Sequence, residues 1–324
     1  MTDPPHPGLS EKRKQWLEVL SGEDRHSISR QLTDMIWDAA SFRMVNEARR
    51  LAPPDSKGGV QLNWMMHSLM DRGFFASQIL AIRRLTDSYS LEGPKGVYSL
   101  SGLLKDMQAQ RHLLTRAAVF AAEGLAYDYE PIRRRWRAYA DERRSGSETA
   151  WATPADLDWH KHERRHEAVD MLTGVRPEAR RPEDVIQEAV LVNLASKVAR
   201  ASKEIVTYAK KFIAHAATPE SRAIVNADDA VLTLNHLWEA HKHLCQVAKF
   251  LAIEVLGDSC PGLLRIPLFN QFRHMDKPLI DSSRLGELRE LWKQFEEECQ
   301  SWKQWDLDTY RSEFGDDAAG ESRS

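Results

Sequence analysis

Apolar residues recur three and four positions apart along almost the whole chain, and no stretch alternates apolar with polar residues between hairpin turns. The pattern predicts an all-α protein. A first long helix is expected from Asp24 to Arg50, with Ile28, Leu32, Met35, Ile36 and Ala39 as its buried stripe, ending before Pro53 and Pro54. A second carries Leu62, Met65, Met66, Leu69, Phe74, Ile79, Ile82 and Leu85, and a third runs from a Ser99 cap through Leu100, Leu104, Met107, Leu114 and Val119 to Gly124. Further on, Thr153-Pro154-Ala155-Asp156 opens a helix that stops near Gly174. Pro182-Glu183-Asp184 opens a long one through Val192, Val198, Ile205 and Phe212 to His215. The last two helices span Asp228 to Val255, with Gly257 as the stop, and Ser283 to Phe314.

These elements suggest a domain order. Residues 1–23 read as an N-terminal extension, 24–256 as a helical bundle with an inserted basic helix, and 257–324 as a C-terminal helix with an acidic tail.

Composition narrows the classes. The 42% hydrophobic share, with 16 Gly and 14 Pro in 324 residues, excludes collagen-like and largely disordered chains. With 45 basic and 48 acidic residues, no whole-chain field drives binding to nucleic acid or an anionic membrane. Any cationic site is local. Arg133, Arg134, Arg135, Arg137, Arg143 and Arg144 face only Asp141 and Glu142 over that stretch, whereas from 285 onward eleven acids outnumber five basic residues. Cys245, Cys260 and Cys299 are too few and scattered for a disulfide framework, and the polar start of the chain lacks a signal-like apolar run. A cytoplasmic protein without a membrane segment is the expectation.

The segment Glu204 to His215 carries the most chemistry. At helical spacing, Glu204, Tyr208, Lys211 and His215 make one polar stripe beside the apolar Ile205, Ala209 and Phe212. An imidazole, an ammonium and a phenol at a helix end supply what is needed to activate a hydroxyl and neutralise a phosphate. A capping His on a solvated helix face is the competing reading.

Three segments in order carry a resemblance: Tyr208-Ala-Lys-Lys-Phe-Ile-Ala-His215; Ile79-Leu-Ala-Ile-Arg-Arg-Leu-Thr-Asp87 followed by Ser99-Leu100-Ser-Gly-Leu-Leu104; and His166-Glu-Ala-Val-Asp170 with Gly174. Over about Ile28 to Pro219 the chain resembles the HEPN superfamily, in its bacterial abortive-infection-protein-U-like branch. The resemblance implies a helical bundle, a homodimer, and an Arg and a following His from each protomer in an interfacial cleft. It also implies a metal-independent endoribonuclease acting on single-stranded RNA, with defence or toxin roles, no cofactor, and an antitoxin or regulatory protein as a further partner. This sequence departs from the pattern: His215 matches the His, but Lys210 stands in the Arg position, with Lys211 as a nearer substitute. Lysine keeps the charge and loses the bidentate fork, so the site reads as degenerate.

Other residues carry paired readings. Arg83 or Arg84 restores the missing guanidinium to the His215 cleft, or Arg84 simply pairs with Asp87. Arg133, Arg134 and Arg137 form an RNA-binding track or a solvated face. His160, His162, Glu163 and His166 have partial metal-ligand spacing without a second cluster to complete a shell, so no metal site is assigned. The tryptophans Trp136, Trp159, Trp238 and Trp292 stack on bases or, more simply, fill a core.

Overall fold

The computed structural model describes residues 7–52, 63–145, 155–213, 218, 220, 232–258, 270–275, 277 and 282–301. Among these the regular structure is helical, without a strand; a lone antiparallel bridge joins Thr115 to Val185. The chain divides into two compact units, Met1–Arg265 and Ile266–Ser324.

In the first unit, helix α1 spans Pro7–Ser21, α2 Ile28–Leu51, α3 Trp64–Leu85, α4 Leu100–Ala109 and α5 Arg116–Ala122. Helices α6 (Glu130–Ser145), α7 (Trp159–Thr173), α8 (Glu188–Tyr208) and α9 (Leu234–Phe250) follow. In the second unit, α10 covers Leu285–Ser301.

Helix α8 is the axis of the bundle. Leu191, Val198, Ser202 and Ile205 recur at helical intervals, are buried, and pack α8 against α3, α4 and α9. Helix α9 presents a wider buried face, Leu237, Ala240, Leu244, Val247 and Ala248, because it meets both α8 and α2. Phe42 on α2 stacks on Phe74 of α3 with ring centroids 3.9 Å apart, which fixes the α2–α3 hairpin at mid-length.

Three boundaries differ from the sequence pattern. Residues 7–21, read as part of an extension, form α1, whose Leu9, Trp16, Val19 and Leu20 lie in the core. Trp16 donates its indole N–H to Asp106 on α4 at 2.7 Å, so the amphipathic helix is anchored by a polar bond as well as by burial. The long helix expected from Ser99 to Gly124 breaks near Leu114. There Thr115 turns extended and its hydroxyl caps a new helix by accepting from the Ala118 N–H. The helix expected from Pro182 starts instead at Glu188, because the backbone of 182–186 is paired with that of 114–117.

Glycines stop two helices as the sequence suggests. Gly174 takes φ 68° after α7, and a Cβ there would collide with the Gln187 amide. Gly257, at φ 60° beyond α9, lies against the Glu123 carboxylate. Both positions demand the left-handed conformation and the missing side chain together.

Candidate nucleic-acid interface

Beyond Tyr208, α8 does not continue as an α-helix. Residues Ala209–Ile213 form a π turn packed against α3, with Ala209 fully buried. A second π turn, Leu251–Val255, follows α9 in the same way. The Tyr208 ring stacks on Phe212 with centroids 4.7 Å apart. Lys210 is exposed and Lys211 half-buried, so two ammonium groups follow one another at the end of the central helix. His215 lies outside the described residues. The stripe projected from a uniform period of 3.6 is not kept through the π turn, which holds more residues per turn than an α-helix. Glu204, at the start of that stripe, instead stands 3.8 Å from the His236 ring on α9.

The structure separates this end from the two arginines of α3. Glu204 beside His236, and Trp238 beside Phe74 at 5.9 Å, mark one level across α8, α9 and α3. The start of α8 lies beside the end of α7, where Gln187 N–H donates to Leu172 O. The end of α9 also meets α7, through Arg165. Helices α8 and α9 are therefore antiparallel. Because Gln78 bonds Met35 O and His241 bonds Leu32 O, α3 runs onward to Arg84 in the same direction as α9. From the shared level, Lys210 is six residues one way and Arg84 ten residues the other, about 24 Å in all at 1.5 Å per residue. Within one chain, neither Arg83 nor Arg84 joins the lysines. Arg84 borders a separate cleft of about 330 Å³ with Asp24, His26, Gln31 and Tyr98, and no ion pair to Asp87 is formed.

The basic helix α6 packs on α7, at the α9 end remote from Lys210. Arg133 bonds Glu130 at 2.9 Å and lies 4.8 Å above the Trp159 ring, which occupies it structurally. Arg134, Arg135 and Arg137 are exposed. Trp136, Trp159 and His160 pack edge to face or tilted on one another, and Trp238 packs against Phe74 under Arg43. These three tryptophans are engaged in packing, whereas Trp292 on α10 is half exposed.

The histidines of α7 serve the fold. His162 is buried against Ala126 O, and His166 bonds Tyr127 O at 2.8 Å while resting on the Phe120 ring. Burial lowers the pKa of both. Among the described residues no three His, Cys, Asp or Glu side chains are grouped to hold a metal ion. His166 instead flanks a charge network that sequence reading missed. Fully buried Arg116 reaches Asp170 at 2.8 Å, Asp184 at 3.1 Å and Thr173 at 3.2 Å. Arg180 braces Asp170 from outside, and its pKa is raised chiefly by that hydrogen bond. Nearby, Arg165 grips Glu123 and the carbonyls of Glu254 and Val255. Burial raises the Glu123 pKa against the pull of Arg165. The visible signal was a lone Arg116 heading an apolar run, a position that surface charge does not occupy.

No family model, curated protein or solved structure matches the chain. Among the described residues no helix is long and apolar enough to cross a membrane.

Proposed function

We propose that the chain is an HEPN-like, RNA-directed protein of defence or toxin type, whose metal-independent ribonuclease-type site is degenerate. The observation that carries this reading is the exposed Lys210 with Lys211 beside it on a π turn that ends the bundle's central helix, leading in sequence to His215. Cations placed in succession at a helix terminus suit a phosphodiester backbone. The Tyr208–Phe212 stack braces the turn from which they project.

In this reading His215 exchanges a proton with the 2′-hydroxyl or the leaving oxygen, and Lys210 or Lys211 offsets charge on the phosphorane-like transition state. An ammonium is a point charge without the guanidinium fork, so binding outlasts efficient cleavage. The first half of α3, against which the π turn packs, leaves Trp64, Met65 and Leu69 exposed. A second copy seated on this apolar face brings two pairs of lysines into one groove, the homodimer of this proposal. Exposed Arg134, Arg135 and Arg137 extend the phosphate contacts from the far end of the bundle. An antitoxin or regulatory protein belongs to the same proposal.

The test is purified protein with single-stranded RNA in EDTA. Slow cutting that His215→Ala abolishes, at unchanged melting temperature, supports the ribonuclease reading. Salt-dependent binding without cutting restricts the site to capture. Absence of both overturns the proposal.

A further inference from the structure

The cleft beside Arg84 belongs to the first unit and takes no part in the RNA reading. It lies where the entry to α2, the end of α3 and residues 96–98 meet, and it encloses about 330 Å³. Gln31 joins its walls. This side chain is only 8% exposed, and its Nε2 donates to His26 O at 2.6 Å and to Tyr98 O at 3.0 Å. Carbonyl oxygens only accept, so the amide orientation is fixed and both of its hydrogens are committed. Gln31 Oε1 is left over. Among the described residues no group donates to it, yet it is not sealed from solvent. A ligand in the cleft that Gln31 lines is favoured when it brings a donor to that oxygen.

Two opposite charges line the same space without closing on each other. Among the described residues Arg84 forms no ion pair and no side-chain hydrogen bond, and Asp24 commits only Oδ1, to the His26 N–H at 2.7 Å. His26 is occupied, its Nε2 accepting from Arg25 at 3.0 Å. Chain neighbours that do not line the cleft, Arg25, Arg83 and Lys95 against Glu23 and Asp87, nearly cancel, so the lining groups set the selection. Half-buried Val97 and Tyr98 supply an apolar wall. We infer that this cleft binds a free α-amino acid with an apolar side chain. Its carboxylate takes the Arg84 fork, its ammonium donates to Gln31 Oε1 and to Asp24 Oδ2, and its side chain rests on Val97 and Tyr98. A phosphate or an RNA backbone would set its oxygens against Gln31 Oε1 and Asp24, and a polyamine would meet Arg84. A zwitterion satisfies all three groups at once.

The test is isothermal titration of the full chain with L-leucine, N-acetyl-L-leucine, L-leucinamide and inorganic phosphate. L-leucine is expected to bind saturably and at least about tenfold more tightly than either blocked form. Asp24→Asn should narrow the preference over N-acetyl-L-leucine, which lacks the ammonium, by about tenfold. Arg84→Gln should narrow the preference over L-leucinamide, which lacks the carboxylate, by a similar factor. Both substituted side chains are exposed, so the melting temperature without ligand should stay unchanged. Absence of saturable L-leucine binding, equal affinity for the three leucine forms, preferences that neither variant alters, or tighter binding of phosphate than of L-leucine would each overturn the assignment.

Discussion

Arg116 Nη1 lies 2.8 Å from Asp170 Oδ1, and the arginine side chain is wholly withdrawn from water. Its donors are divided among Asp170, Asp184 and Thr173, so one residue at the start of α5 ties together α7 and the 182–186 segment. A buried charge of this kind stabilises little relative to an apolar filling, yet removing one partner leaves the others stranded. Arg116→Met is expected to lower unfolding free energy by about 3–5 kcal/mol, the usual loss when a buried pair is broken. Arg116→Lys should also destabilise, because an ammonium lacks the planar fork that reaches three acceptors. Urea unfolding followed by circular dichroism measures both.

Acid should destabilise the fold through three buried histidines. His162, His166 and His241 are held neutral by burial, with pKa values lowered from the ordinary imidazole range. In the unfolded chain they bind protons near pH 6.5, so the unfolded state gains protons first as pH falls. The stability they allow is full above about pH 6.5 and declines from there toward their lowered folded values. The melting temperature should fall between pH 7.5 and 5.5. Replacing His241, which bonds Leu32 O from the α2–α9 contact, by Gln should flatten that dependence.

Gly174→Ala tests the helix stop. Alanine at φ 68° costs about 1–2 kcal/mol in the left-handed region. The new methyl also displaces the Gln187 amide from its bond to Thr173 O, so the loss should exceed that of a conformational penalty alone. Thermal unfolding of the variant beside Gly124→Ala, where φ is 67° and open space surrounds the position, separates the two effects.

The helical class, the stripe of α2 and the glycine stops at 174 and 257 follow from periodicity and from the steric needs of a left-handed residue. Helix α1 did not stand out, because its Pro-rich entry and the unbroken polar run Ser10 to Gln15 mask a buried face that α2, α4 and α5 help to complete. The break at Thr115 was equally hidden: its cap competes with an unbroken apolar period, and the winner depends on distant backbone at 182–186. Lys210 and Lys211 were legible as neighbouring cations at a helix end. Their distance from Arg83 and Arg84 was not, since it follows from the antiparallel sense of α3 and α8, which no local pattern encodes.

The most direct test of the RNA reading is the salt dependence of single-stranded RNA binding by the unaltered chain and by Lys210→Ala/Lys211→Ala. Each phosphate contact in single strands contributes about 0.7 to the slope of log affinity against log salt concentration. Loss of both lysines should weaken binding and make that slope shallower by about 1.4. An unchanged slope and affinity, with the variant as stable as the parent, would contradict the assignment of this helix end to RNA.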